Sequence, residues 1–200
     1  MSDTASTREH AIEQTGSMPG IGNRKLGMWL FLASEILFFT GLIGMFLAYR
    51  GRPGGADFLA HLDIPLTSLN TFLLLASSFT VVLSIAAVQS GRQNLLKVWL
   101  LATIVLGATF VSIQAIEYAR FGDEGFGLAT NAATGAFFVL TGFHGLHVIV
   151  GVLWCVGVLL RALRGGFGQN NYLGVELFGL YWHFVDVVWI ILFTVIYLLR

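Results

Sequence analysis

Residues 134–160, TGAFFVLTGFHGLHVIVGVLWCVGVLL, contain no Asp, Glu, Lys or Arg. At ~1.5 Å per residue a helix of this length is roughly 40 Å long, more than the ~30 Å hydrocarbon core of a bilayer. A helix buried inside a soluble domain has no need of such a length without charge. The stretch therefore predicts a helix that crosses a membrane.

The rest of the chain repeats this pattern. Four further apolar runs, each of at least ~20 residues, are separated by short polar breaks rich in Gly; they are residues 26–49, 67–89, 95–118 and 176–199. Only 11% of the chain is charged and 56% is hydrophobic, whereas soluble domains keep roughly a quarter of their residues charged. We predict an all-α integral membrane bundle of five transmembrane helices over residues 24–200.

The N-terminal residues 1–23 are polar and lack the features of a secretory signal. We predict a flexible cytoplasmic tail there, because basic residues accumulate on the cytoplasmic side of membrane proteins. With the tail inside, that side carries Arg8, Arg24, Lys25, Arg92, Lys97, Arg161 and Arg164, and the other side carries Arg50, Arg52, Arg120 and Arg200. Five spans then place the C-terminus outside.

Charge and cysteine content exclude several classes of function. The 11 basic residues balance the 11 acidic ones and form no cluster, which argues against nucleic-acid binding. The single cysteine, Cys155, has no partner for an intrachain disulfide and lies within an apolar run. We interpret it as a small core residue.

Small and polar residues recur at helical spacing in four of the spans. Because apolar packing gives little net drive between helices in lipid, such faces favour close helix contact. We predict that these faces point inward; they are Gly27, Ser34, Gly41 and Ala48; Asn70, Ser77 and Ser84; Gly107, Gln114 and Glu117; and Glu176, Gly179, His183 and Asp186.

Six of the ionisable side chains within the spans are informative, because an uncompensated charge at the bilayer centre costs at least ~3 kcal/mol. They are Glu35, Glu117, His144, His147, His183 and Asp186. Helix rise places Glu35, His147 and Asp186 each roughly 14–20 Å from the cytoplasmic boundary. We predict a buried polar cluster in which His147 hydrogen-bonds Asp186, with His183 and His144 nearby.

Three kinds of site fit these residues. Facing histidines are able to ligate haem or a metal, although the second carboxylate–His pair of a di-iron bundle is missing. The polar residues alternatively fix helix packing only. In the third interpretation Glu35 has a proton-related role, because a lone buried carboxyl is held neutral by desolvation and exchanges a proton.

Five motifs then resemble, in order, the helices of subunit III of haem–copper oxidases. They are SEILFFTG at 34–41, LNTFLLLASS at 69–78, QAIEY at 114–118, TGFHGLHVIVG at 141–151 and WHFVDVVW at 182–189. The match extends from about Lys25 to Leu199, and several long motifs in sequence make it specific.

The resemblance implies a subunit without haem, copper or an active site of its own, in a complex that reduces O2 and pumps protons. It implies oxidase subunits I and II as partners, with subunit IV and a larger respiratory supercomplex as further candidates. It also implies bound phospholipid and a bacterial plasma membrane. Subunit III is associated there with steady proton uptake by subunit I and with protection from inactivation. Glu35 matches the family's carbodiimide-reactive carboxylate, and the other five ionisable residues match its polar core.

The chain resembles the five-helix bacterial form of this family, which lacks the first two helices of the seven-helix form and hence one arm of its lipid cleft. We expect subunit III of an aa3- or caa3-type cytochrome c oxidase. The alternatives are subunit III of a quinol oxidase and a subunit III-like protein of nitric oxide reductase. A transporter, channel or autonomous haem enzyme is disfavoured, because no inverted repeat and no proline-broken span is present.

Overall fold

The fold is known from a computed structural model that describes residues 22–199, apart from the side chain of residue 56. Most of the predicted tail and Arg200 lie outside the described residues. The helices are α1 (Asn23–Tyr49), α2 (Gly55–Ala60), α3 (Ile64–Gln89), α4 (Gln93–Asp123), α5 (Ala132–Leu163) and α6 (Leu173–Phe193), which continues into a π-helical turn (Thr194–Leu198). Five of these, all but α2, are long and apolar enough to cross a membrane. The prediction of an all-α bundle with five membrane-length helices is confirmed.

The bundle has a compact centre and one peripheral helix. Helices α3, α4 and α5 pack side by side, and α6 lies against both α3 and α5. Helix α1 packs on α5 and α6 from outside. It is held to α6 at both ends: Lys25 Nζ lies 2.8 Å from Glu176 Oε2, and Arg50 Nη1 donates to the carbonyl of Leu199 at 2.9 Å.

Side-chain caps define where two of the helices begin. Asp63 accepts a hydrogen bond from the backbone N–H of Leu66 at 3.0 Å, and Pro65 follows in the first turn of α3. Asn131 and Thr134 form a reciprocal capping box at the start of α5. Such caps satisfy backbone N–H groups that have no partner within the helix.

The centre of the bundle is built around Trp182 of α6. A Cβ added at Gly107 of α4 or at Gly151 of α5 would lie 2.7 Å from this indole ring. The ring therefore occupies a slot between the two glycines, which we call the indole slot. Its Nε1 donates to Ser77 Oγ of α3 at 2.9 Å, so one side chain joins four helices.

The predicted inward faces are confirmed in α3 and α4. The polar and small residues of these two faces are all buried, namely Asn70, Ser77 and Ser84 on α3 and Gly107, Gln114 and Glu117 on α4. Asn70 donates to the Phe110 carbonyl of α4, and Gln114 donates to the Thr141 carbonyl of α5. These hydrogen bonds tie neighbouring helices together.

The predicted inward face of α1 is wrong. Leu32, Phe39 and Phe46 are the buried residues of this helix, on the side opposite the small residues. The small face, Gly27, Ser34, Gly41 and Ala48, is exposed, and a Cβ at Gly27 or Gly41 would meet nothing within 4 Å. The physical reason is that α1 fills the furrow between α5 and α6 with large side chains, and close backbone contact is not used there.

An ion pair between the start of α3 and the end of α4 makes the stability of the fold depend on pH. Arg120 Nη1 lies 3.3 Å from Asp63 Oδ2. The N–H of Leu66 and then the Arg120 guanidinium hold the pKa of the Asp63 carboxyl below its usual value. A carboxyl whose pKa is depressed by folding contributes stability above its unfolded pKa of about 3.9 and loses it as the pH falls through the folded value.

We therefore expect Asp63→Asn to lose less stability than the wild type between about pH 5 and pH 3. The amide keeps the helix cap but carries no charge for Arg120. The apparent melting temperature in detergent at the two pH values measures this. Asp57→Asn, at an exposed carboxylate of α2, is the matched control and should follow the wild type. An equal acid sensitivity of the Asp63 variant would contradict the assignment.

Candidate functional site

Glu35 and His147 form a carboxyl–imidazole pair across α1 and α5. Glu35 Oε2 lies 3.2 Å from His147 Nε2, and both side chains are largely buried, at 19% and 16% exposed. Glu35 is 12 residues beyond the start of α1 and therefore ~18 Å along it. His147 lies near the midpoint of α5. The pair thus lies at the depth of the hydrocarbon core.

The hydrogen bonds of His147 define what this pair binds. Its Nδ1 lies 2.7 Å from the Phe143 carbonyl, which only accepts, so Nδ1 carries a hydrogen. Nε2 then faces the Glu35 carboxyl. Two bare lone pairs cannot hydrogen-bond, so a hydrogen bond between Nε2 and Oε2 requires a further proton on one of the two groups. The contact at 3.2 Å has the geometry for such a bond.

The surroundings of the pair are apolar and partly open. A cavity of about 310 Å³ lies beside the two side chains, lined also by Phe31, Leu146, Val150, Trp154 and Tyr181. The ring of Phe39 contacts the His147 imidazole edge-on at 5.1 Å, and Tyr181 donates to the His147 carbonyl at 2.9 Å. The apolar lining of this cavity suits hydrocarbon better than water.

The predicted hydrogen bond between His147 and Asp186 is wrong, because both ring nitrogens of His147 have other partners. Asp186 lies instead at the seam between α3 and α6, beside Ser78. His183, one turn earlier, places Nδ1 2.7 Å from the same Ser78 Oγ. His183 and Asp186 are therefore together, as predicted, but apart from His147.

His144 and Glu117 occupy two more separate places. His144 is fully buried between Phe110 and Trp189, and its Nε2 donates to the Val185 carbonyl at 3.2 Å. Glu117 is 4% exposed near one end of the bundle, and Thr67 Oγ1 lies 3.3 Å from its Oε1. The predicted polar cluster is thus divided into four sites that join different pairs of helices.

Sequence patterns missed several of the residues that complete these sites. Tyr197 lies near Glu117 in the π-helical turn, and no sequence pattern predicts that turn. Gly151 forms one wall of the indole slot that Trp182 occupies. The only sequence signal for its role is its position one helical turn after His147. Among the described residues, no group of three or more His, Cys, Asp or Glu side chains is placed to hold a metal ion.

Five membrane-length helices joined by interhelical hydrogen bonds, with a carboxyl–imidazole contact near the middle of two of them, define an α-helical integral membrane protein. The family model for cytochrome c oxidase subunit III matches residues 7–200. Cytochrome c oxidase subunit 3 of Bacillus sp. (strain PS3) is 35% identical over 197 residues, covering 98% of this chain and 95% of the relative. Quinol oxidase subunit 3 of Bacillus subtilis (strain 168) is 37% identical over 175 residues, covering 87% of this chain and 86% of the relative. The chain belongs to the cytochrome c oxidase subunit III family.

Proposed function

We propose that this chain is the non-catalytic subunit III of a bacterial aa3- or caa3-type cytochrome c oxidase. In this role it stabilises subunit I, its proton uptake and bound lipid, and so supports O2 reduction coupled to proton pumping. It holds no haem or copper itself. Its partners are subunits I and II, with subunit IV and a larger respiratory supercomplex as further candidates. It lies in the plasma membrane with its N-terminus in the cytoplasm and its C-terminus outside.

The observation that carries the proposal is the Glu35–His147 pair. A subunit without chemistry of its own contributes to proton supply only through groups that hold and release protons. In this proposal the pair, whose Nε2 and Oε2 atoms lie 3.2 Å apart beside an apolar cavity, holds one proton. The cavity also has the size and lining to accept part of a lipid acyl chain, which supports the proposal of bound phospholipid.

We expect Glu35→Gln to leave the complex assembled but to slow proton uptake or to shorten the lifetime of the complex under turnover. The amide N–H donates to Nε2 of His147 and so keeps the hydrogen bond, but the amide does not ionise near neutral pH. Proton uptake, O2 consumption and turnover-linked inactivation of the purified complex measure the effect.

Glu176→Gln provides the control for that variant. It makes the same chemical change at the end of α6, where Glu176 pairs with Lys25. This change should leave proton uptake as it is in the wild type. Unchanged turnover and inactivation kinetics in the Glu35 variant would make Glu35 a packing residue.

Quinol oxidase subunit III is the second candidate function, and relatives named for it are as similar as those named for cytochrome c oxidase. The cytochrome c oxidase of Alkalihalophilus pseudofirmus, for example, is 38% identical in this subunit over 182 residues. The subunit III-like protein of nitric oxide reductase is a third candidate. Purifying the complex through a tag on this chain, and comparing its turnover with reduced cytochrome c, with quinol and with nitric oxide, decides among them.

A further inference from the structure

We propose that Arg50 is a clamp on the last turn of α6, which it holds in the π-helical form that keeps Tyr197 buried beside Glu117. The three parts of this device belong to different helices. The clamp directly follows α1, the turn ends α6, and the carboxyl lies on α4. The position of α1 is thereby coupled to the surroundings of a buried carboxyl. The inference goes beyond the proposed function and does not depend on it.

The turn from Thr194 to Leu198 changes the backbone register at the end of α6. The N–H of Leu199 donates to the carbonyl of Thr194, five residues earlier, at 3.0 Å. In an α-helix the same N–H would reach the carbonyl of Val195, four residues earlier. The π-helical form therefore takes this donor away from the Val195 carbonyl. Turns of this kind are rare and are frequent at functional sites.

Arg50 supplies a donor at the place where the π-helical form removes one. Its Nη1 lies 3.5 Å from the Val195 carbonyl oxygen and donates to the Leu199 carbonyl at 2.9 Å. The guanidinium is always charged and carries five N–H donors, and cations near a helix C-terminus stabilise its last carbonyls. In an α-helical turn the Leu199 N–H would occupy Val195, and Arg50 would have one carbonyl less to approach. The clamp therefore favours the π-helical form over the α-helical form.

The form of the turn determines where the side chain of Tyr197 points. A turn closed over five residues holds more residues than one closed over four, so the side chains within it are rotated about the helix axis relative to an α-helix. In the π-helical form Ile196 and Tyr197 are buried and Leu198 is exposed. The Tyr197 ring stacks on Phe193, with 5.5 Å between the centroids. Return to the α-helical form would turn Tyr197 away from this position.

Glu117 is the group that this rotation affects. Its side chain is buried, Thr67 Oγ1 lies 3.3 Å from its Oε1, and Tyr197 lies near it. A carboxyl inside a membrane bundle depends on polar neighbours, because hydrocarbon provides none. Rotation of Tyr197 would remove the polar neighbour that α6 provides. Arg50 is thus a positioning residue that acts on Glu117 through the turn and Tyr197.

Fluorine NMR of the full-length chain in detergent tests the clamp. Meta-fluorotyrosine replaces Tyr197 alone, so that its resonance reports the surroundings of this ring. We expect Arg50→Met, which keeps a long side chain but has no donor, to shift the resonance and to expose it to a paramagnetic probe dissolved in the micelle. Arg50→Lys still donates to carbonyls and should shift the resonance less. A general loss of stability would not move the resonance of the folded protein.

Arg52→Met is the matched control for this experiment. Arg52 is exposed in the loop that follows α1, and the same chemical change there should leave the Tyr197 resonance as in the wild type. An unchanged resonance in the Arg50→Met protein would overturn the proposal. Equal shifts in the Arg50→Met and Arg50→Lys proteins, or a shift of the same size in the Arg52 variant, would do so as well.

A double-mutant cycle gives a second measurement that needs no fluorinated residue. Arg50→Met should raise the equilibrium constant for unfolding in mixed micelles. Tyr197→Phe should make this increase smaller, because the turn then holds no hydroxyl beside Glu117. Independent sites multiply within about twofold, and we expect the Arg50 factor to fall by at least about threefold in the Tyr197→Phe protein. Equal factors in both backgrounds would make Arg50 only a tie between α1 and α6. Neither measurement uses oxidase activity, so failure of the clamp and failure of the proposed function are distinct outcomes.

Discussion

Trp182→Ala should lower the free energy of unfolding by about 3–5 kcal/mol, the range found when a buried tryptophan is truncated. The indole is 1% exposed and fills the indole slot between Gly107 and Gly151. Its removal leaves a cavity that two glycines cannot fill. It also leaves Ser77 without its donor from α6. Unfolding by sodium dodecyl sulfate in mixed micelles measures the change.

Trp29→Ala is the matched control for this experiment. Trp29 lies on α1 and is 53% exposed, so the same truncation removes contact with lipid or detergent and leaves no cavity. We expect a change close to zero for this variant. Similar losses in the two variants would mean that the indole slot contributes nothing beyond tryptophan's affinity for the micelle.

The number of membrane helices could be predicted from the sequence because the bilayer imposes length and composition directly. Which face of each helix points inward is a different problem. In α3 and α4 the polar residues Asn70 and Gln114 had to be buried, because hydrocarbon offers them no hydrogen bonds. Glycine carries no such constraint. Gly27 and Gly41 of α1 are equally compatible with a close helix neighbour and with lipid, so their spacing alone could not place the face.

The partner of His147 was mispredicted for a geometrical reason. Helix rise gives the height of a residue, and Glu35 and His147, which were expected at a similar height, do meet. It gives no information on the angle around the bundle axis. That angle depends on which helices are neighbours, and α1 packs on α5 whereas Asp186 faces α3. The carboxyl that reaches His147 is therefore the one on α1.

Some features of the site have no signal in a single sequence. The π-helical turn that brings Tyr197 to Glu117 depends on packing at the end of the bundle. Ser78 was visible only as part of a family motif, yet its hydroxyl lies 2.7 Å from His183 Nδ1. Both contacts depend on how neighbouring helices are rotated against each other, which a single sequence does not encode in a readable pattern.

Gly151→Ala should destabilise the protein by about 1–3 kcal/mol, although alanine normally favours a helix over glycine. The new Cβ would lie 2.7 Å from the ring of Trp182, which is held by Gly107 on its other side and by Ser77 at its Nε1. Neither the ring nor α5 is free to move aside. Unfolding in mixed micelles again measures the change.

Gly157→Ala, in the same helix, makes the same chemical change at a position where a Cβ meets nothing within 4 Å. It should leave stability unchanged or raise it by up to ~1 kcal/mol through helix propensity. The two variants are therefore expected to differ in sign. The cost of Gly151→Ala should also largely disappear when it is made in the Trp182→Ala protein, because the ring it collides with is gone and contacting residues are not additive. A loss that persists there would arise from α5 itself, and the indole slot would no longer explain why these two positions are glycine.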